Sequence, residues 1–507
     1  MMRPVMVNLS GLVLQWVSSR TASETFWIYL FWTLWIHRYL RLLVHCVSHW
    51  TYKSKPIPEK PSYLADDVTV ILPTIHNAFE EIIPCLQSIL ACKPAKLILV
   101  TTYNRFDALK KTADSLRTPG FQHPEIVVLQ VDKANKRLQV CEALKGDHVS
   151  TEIVVMADDD VEWPSTLMPH LLAPFEDPEI GGVGTRQRIK RKFDGPFSTR
   201  IWNWLGAAYI QRRNFEITAT HNIDGGTSCM SGRTGAYRAE ILQSHDFLEG
   251  FQTERWAGYI LNADDDNFVT RWLVSHQVKT WIQYDRECEI ETTLEEGMKF
   301  LYQCSRWARS NWRSNWTSLC RERYVLRQQP WCTYALHFAT FTSLAFVVDP
   351  LLLLACWKAT VGWDQARREY AFWAQFAFMF GFTKVVKLVG LFVRNPSDLM
   401  FLPVSIAFGY FHGLIKLWAL FTLNVTTWGS RADGDEDNSF RLQKRPRSMS
   451  LATPKTRTNS ELARFHASIH RRATISHHDS FERPLLFAGD AAMGEKMITS
   501  TQECTVA

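Results

Sequence analysis

The stretch VVMADDDVEWP, Val154–Pro164, decides the fold. With Ile153 before it, the apolar run to Met156 reads as a short buried strand that delivers Asp158, Asp159 and Asp160 into a loop at its carboxyl end. Three adjacent carboxylates repel one another, so a cation or hydrogen-bond donors must hold them. Ligands of open α/β sheets bind at the carboxyl ends of strands, and hard oxygen ligands suit a Mg2+ or Mn2+ ion carrying a phosphorylated substrate. Taken alone, an acidic turn and helix cap is the simpler reading, and the rest of the chain has to decide.

Upstream, apolar strings alternate with amphipathic segments. VTVILP (68–73), KLILVTT (96–102) and EIVVLQV (125–131) read as strands, with helices expected near 77–91, 105–117 and 134–146. Alternation at this spacing implies βαβ units and a mixed, mainly parallel sheet, with the acidic triplet ending the fourth strand. No G-x-G-x-x-G or P-loop occurs, so a nucleotide here is not held by a dinucleotide or Walker cradle.

The flanks differ in character. FWIYLFWTLWI (26–36) continues through His37, Arg38 and Arg41 into LLVHCV, and a helix over about 24–46 is long enough to span a bilayer with its arginines snorkelling. Residues 1–50 thus read as a retained anchor with no signal cleavage site, and 51–67 as a basic, proline-containing linker on the cytoplasmic side. Beyond residue 330, the segments 331–357, 370–393 and 399–424 are apolar and aromatic, interrupted by Asp349-Pro350, Lys384, Lys387 and Lys416. Residues 430–507 lack apolar periodicity and read as a disordered tail with a basic tract.

The totals agree with a membrane protein. The chain has 507 residues, 20 Trp, 30 Phe and a net charge of +6, and its basic residues sit beside apolar stretches and in the tail, which favours a membrane surface over nucleic acid. Its 11 cysteines show no CxxC and no paired metal spacing, which suits reduced thiols.

Three more stretches accompany the triplet. Ser231–Arg238, SGRTGAYR, places Gly232 and Gly235 where backbone can approach a ligand. Asn262–Thr270 carries Asp264, Asp265 and Asp266 before a helical pattern, as a cap or as a source of a general base. Gln303, Arg306 and Trp307 form Q-x-x-R-W in a basic, aromatic helix over 295–316 that suits a membrane interface.

Two acidic clusters, SGRTGAYR between them and Q-x-x-R-W before membrane helices together resemble the family 2 processive glycosyltransferases, the group of hyaluronan, chitin and cellulose synthases. The look is closest to fungal cell-wall or capsular polysaccharide synthases, and Trp428–Arg431 also resembles a hyaluronan synthase ending. The resemblance implies an α/β GT-A domain over 68–294, interfacial helices over 295–330 and transmembrane helices over 331–429. It implies an inverting enzyme with a nucleotide-sugar donor, UDP-linked, a growing polysaccharide as acceptor, membrane lipids as surroundings, and Mg2+ or Mn2+ as cofactor. Localisation would be the plasma membrane, multi-pass, with the catalytic domain cytosolic and Asn8, in the sequon Asn8-Leu-Ser10, glycosylated on the outer side.

By the same resemblance, Asp158 and Asp160 form the D-x-D that holds nucleotide and metal. Asp266 is the catalytic base, with Asp265 beside it; Arg306 binds pyrophosphate, Trp307 meets the acceptor terminus, and Gln303 supports both. Lys136 and Arg137 match a lysine-arginine pair near the nucleotide. One departure stands out: Val100-Thr101-Thr102 occupies the place of an aspartate that contacts the base in many relatives, which leaves Thr101 or Thr102 for that contact. Transfer of a single sugar to a lipid or protein is the alternative, and Q-x-x-R-W speaks against it. A non-catalytic membrane scaffold is the other, against which all matched carboxylates are present.

Overall fold

The computed structural model describes residues 22–117, 124–342 and 344–426. Asn8, Trp428–Arg431 and the tail from 430 lie outside them.

The strands form where β-branched and long aliphatic residues run together. β1 (Val68–Pro73), β2 (Lys96–Thr102), β3 (Glu125–Val131) and β4 (Ile153–Ala157) pair in parallel, in the order β3-β2-β1-β4. After the two-residue β5 (Val161–Glu162), β6 (Ile180–Ile189) and β7 (Thr234–Arg238) join antiparallel to each other, with β7 also antiparallel to β4. Beyond the short ribbon β8 (Arg255–Trp256) and β9 (Tyr259–Ile260), β10 (Lys279–Gln283) and β11 (Glu289–Thr292) both run parallel to β6, and β11 also pairs β5. The result is the mixed, mainly parallel nine-stranded sheet that the alternation of strings predicts.

Both faces are covered. Leu72, Leu97, Leu99 and Val155 pack on one side with Leu86 and Leu109, whereas Ile71, Ile98 and Val154 pack on the other with Val140, Phe247 and Leu273. A strand buried on both faces reads as a continuous apolar run, as β1 does. The expected helices near 77–91, 105–117 and 134–146 appear as Phe79–Ile82 continuing into Ile83–Ala91, Phe106–Ser115 and Lys136–Leu144.

The linker is not loose. Lys55 exchanges hydrogen bonds with Gln283, Lys55 Nζ lies 3.2 Å from Asp177 Oδ2, and the Tyr52 hydroxyl bonds to Ile282 O, so 52–55 are strapped along β10.

Among the described residues, two helices are long and apolar enough to cross a membrane: Gln365–Arg394 and Pro396–Phe421. The expected 331–357 span is interrupted. Its backbone is extended at Leu344, and the helix Ala345–Ala359 that follows has 15 residues, about 22 Å, short of the ~30 Å hydrocarbon core. The 30-residue helix Ala22–Thr51 falls short of that apolar composition, yet its surface is divided cleanly. Phe26, Tyr29, Trp32, Ile36, Leu40, Leu43 and Val47 are exposed at helical spacing, while Tyr39, Leu42 and Cys46 pack inward against Phe215, Leu352 and Val386. Arg38 is held by Asp349 at 2.8 Å and His45 by Glu216 at 2.8 Å, so its polar groups look into the molecule rather than snorkelling along the helix.

Candidate active site

Sheet order brings the motifs together. β7 lies beside β4 with Met156 opposite Gly235 and Ala157 opposite Thr234, so the loop after β4 and the loop before β7 emerge side by side, and Asp158 N donates to Arg233 O at 3.0 Å. The three aspartates of the triplet then divide. Asp159 turns inward, 7% exposed, and its Oδ2 accepts the Thr74 hydroxyl at 2.6 Å, which leaves Asp158 and Asp160 part-exposed at the site.

Lys136 is the hub. It opens its helix after Asn135, whose side chain caps the backbone of Arg137 and Leu138. Its Nζ lies 2.6 Å from Asp158 Oδ1 and 2.9 Å from Asp265 Oδ2, joining the two acidic clusters through one ammonium. Burial alone would lower the Lys136 pKa, but Asp158 and Asp265 raise it above the ordinary lysine value.

Asp265 and Asp266 are pushed in opposite directions. Burial raises Asp265, but Lys136 outweighs it and holds this carboxyl below its ordinary value. Asp266 is raised by burial and then by the neighbouring charge of Asp265, with Arg213 offsetting part of the effect. Its Oδ2 receives Gly232 N at 3.4 Å. Gly232 is closely surrounded: a Cβ there would sit 3.3 Å from Lys136 Nζ and 3.4 Å from Asp266 Cβ. Neighbouring carboxyls with separated pKa values are the usual signature of divided acid-base roles.

The Q-x-x-R-W helix, Met298–Trp316, is docked by Asp264, the first member of the second acidic cluster. Asp264 receives Arg313 through two bonds of 2.7 and 2.9 Å and also accepts the Ser310 hydroxyl. That clamp sets Arg306 in the field of Asp265, Asp266 and Asp158; burial depresses its guanidinium and these carboxylates partly restore it. Trp307 stacks on Tyr209 with ring centres 5.1 Å apart, and the Arg233 guanidinium lies 5.5 Å from its ring. The Gln303 carbonyl oxygen is buried with no hydrogen-bond partner among the described residues.

Two expected site residues are elsewhere. Arg137 is 1% exposed; it donates to Phe251 O and Ala263 O, pairs with Glu254 at 2.7 Å and stacks on Phe251 and Phe268. It is a scaffold residue rather than a donor contact. Gly235 lies inside β7, and a Cβ on it would meet the Tyr237 hydroxyl at 2.6 Å, so protein and not ligand demands its smallness. Thr101 is fully buried, and Thr102 Oγ1 is occupied by Asn104 and Arg105. Sequence reasoning missed Arg213, Cys229, Tyr209 and Arg233. The first two flank Asp266 and the others frame Trp307; Tyr209 and Arg213 come from the helix Phe197–Asp224 and Cys229 from the loop after it, none with a motif of its own, while Arg233 lies inside SGRTGAYR, where only the glycines drew attention.

No group of three or more His, Cys, Asp or Glu suited to a metal occurs among the described residues. The pair Asp158 and Asp160 nevertheless fits a magnesium-type ion, which commonly takes one or two carboxylates and fills its remaining positions with substrate phosphates and water.

The arrangement is that of a sugar-transferring GT-A domain, and the comparisons give its family. Residues 65–310 match the model "Glycosyltransferase like family 2". A type 2 glycosyltransferase of Gibberella zeae is 68% identical over 462 residues, 91% of this chain and 86% of its own. One from Pyricularia oryzae is 65% identical over 437 residues, 86% of this chain and 89% of its own. The chain therefore belongs to the family 2 glycosyltransferases and is a glycosyltransferase. It is also similar to human hyaluronan synthase 3, at 25% identity over 310 residues, 58% of this chain and 50% of that one. Among solved structures, a mannosyltransferase from Pyrobaculum calidifontis in complex with GDP-Man and Mn2+ aligns with a TM-score of 0.47 at 16% identity, over 79% of this chain and 99% of that one.

Proposed function

We propose that this glycosyltransferase is membrane-embedded and polymerises sugar from a UDP-linked donor into an extracellular or cell-wall polysaccharide, with inversion at the anomeric carbon. The observation that carries the reading is the gathering of Lys136, Asp158, Asp265, Asp266, Arg306 and Trp307 from four separate stretches of sequence around one site.

In this reading Asp266 takes the proton from the acceptor hydroxyl as it attacks C1, and its raised pKa suits that task. The C1–oxygen bond to the diphosphate breaks on the opposite face. Lys136 and Arg306 face the negative charge that grows on the leaving diphosphate, positioned before the reaction begins. Asp158 and Asp160 would hold a Mg2+ or Mn2+ ion, which supplies Lewis-acid neutralisation of the diphosphate when bound. Trp307, fixed by Tyr209 and Arg233, offers a flat face to the terminal sugar of the acceptor. The exposed apolar faces of Ala22–Thr51, Gln365–Arg394 and Pro396–Phe421 support residence in a lipid bilayer; the reading itself adds the plasma membrane as the site and the cytosol as the side of the catalytic domain.

A panel of radiolabelled nucleotide sugars on membranes containing the protein tests this, with products digested by linkage-specific hydrolases. A high-molecular-weight product from one UDP-sugar is expected. Products limited to one added sugar on lipid or protein would replace polymerisation with single-sugar transfer.

A further inference from the structure

The end of β6 carries more charge than its partners cancel. Arg186 and Arg188 lie two residues apart and so share one face of the strand, and β11 sets Glu289 opposite Arg186 and Glu291 opposite Arg188. These pairs are not balanced. Buried Glu289 is shared by three guanidiniums: Arg186 at 2.5 Å, Arg188 at 3.6 Å and, from the end of the helix Gln365–Arg394, Arg394 at 2.9 Å. Arg188 also contacts Glu291, and Arg286 stands in the field of Arg188 with no salt bridge among the described residues. Four guanidiniums thus meet two carboxylates. Burial lowers the Arg188 pKa; Glu289 offsets part of this, and Arg394, Arg186 and Arg286 lower it further.

The cluster borders a cavity of about 660 Å³ between the end of β6, the helix Phe197–Asp224 and Asn395, the residue that separates the two long apolar helices. Five Arg or Lys side chains line it against one acid, Glu291. Two of the five are neutralised from behind: Asp398 holds Arg191 at 2.7 Å and Glu162 holds Lys190 at 2.6 Å. The unmatched charge therefore sits at the end formed by Arg188, Arg286 and Arg394. Like charges crowded this way repel, and an anion placed among them relieves the repulsion. The cavity also has an apolar rim, where Val393 is 75% exposed and Phe193 51%.

We propose that this cavity binds the headgroup of an anionic phospholipid bearing a phosphomonoester, with the acyl chains lying over Val393 and Phe193. Charge selects the phosphate. Guanidiniums pair with its oxygens bidentately, and a phosphomonoester brings about two negative charges to an excess of the same size. Position selects the lipid. The cavity opens where Gln365–Arg394 ends and Pro396–Phe421 begins, the level at which headgroups lie if these helices cross a bilayer. A soluble phosphate would use the cations and leave the exposed apolar rim without a role. The inference rests on the bilayer residence read above and is independent of which sugar is transferred.

The test is equilibrium binding to the full chain purified in nonionic detergent. The probes are fluorescent short-chain phosphatidylinositol 4-phosphate, the matching phosphatidylcholine, and soluble inositol 1,4-bisphosphate as the headgroup without its chains. Wild type should bind the phosphoinositide about tenfold or more tightly than either of the others. Arg188→Gln combined with Arg286→Gln should lose about tenfold of that affinity at an unchanged melting temperature, and Arg286→Gln alone, at an exposed residue, should lose part of it. Lys110→Gln combined with Lys111→Gln removes the same charge from the exposed face of the helix Phe106–Ser115 and should bind as wild type does. Equal affinity for the phosphoinositide and phosphatidylcholine overturns the proposal. Equal affinity for the soluble headgroup makes the cavity a soluble-anion site, and an equal loss in the lysine variant reduces the effect to general attraction; either also overturns it. Release of the chain from membranes by alkaline carbonate would strike bilayer residence instead, and the lipid with it.

Discussion

Asp265 and Asp266 are adjacent in sequence and both lie in the field of the Lys136 ammonium, but only Asp265 makes a short ion pair with it. Lys136 engages Asp265 at 2.9 Å, and burial, then the negative charge of Asp265, raises the Asp266 pKa above that of an ordinary aspartate. For a general base the sign is clear: activity falls on acidification as Asp266 gains its proton, so the acid limb of kcat/KM should lie above the ordinary aspartate value. Asp265→Asn should move that limb to lower pH, and an unmoved limb would detach it from Asp266. Loss of the base itself typically costs about 100 to 10,000-fold, so Asp266→Asn should make almost no product while still binding nucleotide sugar. The same raised pKa predicts a stability change of opposite sense. Holding Asp266 ionised near neutral pH costs the native state, so Asp266→Asn should melt higher than wild type at pH 7, with the gain disappearing below the unfolded aspartate pKa. Donor turnover in Asp160→Asn should be abolished without unfolding, and EDTA should mimic it; full synthesis in verified absence of metal would remove the ion from the reaction.

At the scale of elements, the clamp between Asp264 and Arg313 joins the catalytic sheet to the helix that carries Arg306 and Trp307. Both side chains are 2% exposed, and breaking such a buried pair from one side typically costs about 3–5 kcal/mol because the partner is left charged and unpaired. Asp264 has a φ of +67°, a left-handed conformation that Asn tolerates, so Asp264→Asn isolates the charge from the backbone. Unfolding in denaturant should show a loss of about 3 kcal/mol. Arg313→Met in the same chain should recover part of it, and no recovery would deny that the two residues act as a pair. Trp307→Ala should weaken chain extension more than UDP-sugar binding, since its contacts are Tyr209 and Arg233 rather than the acidic groups.

These elements also mark where sequence was legible. β1 to β4 announce themselves because a doubly covered parallel strand must be apolar along its length, and the acidic loops announce themselves because clustered carboxylates need a reason. Arg137 misleads because neighbours on a helix point about 100° apart, so Lys136 faces the site and Arg137 the core, and no periodicity in KRLQV separates them. Gly235 misleads in the same way, since glycine in SGRTGAYR serves a loop at one position and a tightly packed strand at the other. Ion pairs between helices, such as Arg38 with Asp349, join partners hundreds of residues apart and have no local signature.

For the whole molecule, the interruption at Leu344 changes the number of crossings to be expected. Three full spans after the catalytic domain would carry the chain's basic tail to the side opposite that domain, against the tendency of Lys and Arg to stay on the cytoplasmic side. With Ala345–Ala359 too short to traverse the ~30 Å core, two candidate spans remain among the described residues, Gln365–Arg394 and Pro396–Phe421, and as crossings they would return the chain to the side it left. Ala22–Thr51 adds one crossing before the catalytic domain if its exposed apolar stripe faces lipid. The expected topology places the amino terminus outside, with Asn8 in reach of glycosylation, and both the catalytic domain and the carboxyl terminus in the cytosol. Tags at each end of the chain in sealed, right-side-out vesicles test it by protease accessibility. The amino-terminal tag should be cleaved before permeabilisation and the carboxyl-terminal tag only after it. Cleavage of the carboxyl-terminal tag in intact vesicles would restore a third late crossing and require the 331–359 region to traverse the bilayer despite its break.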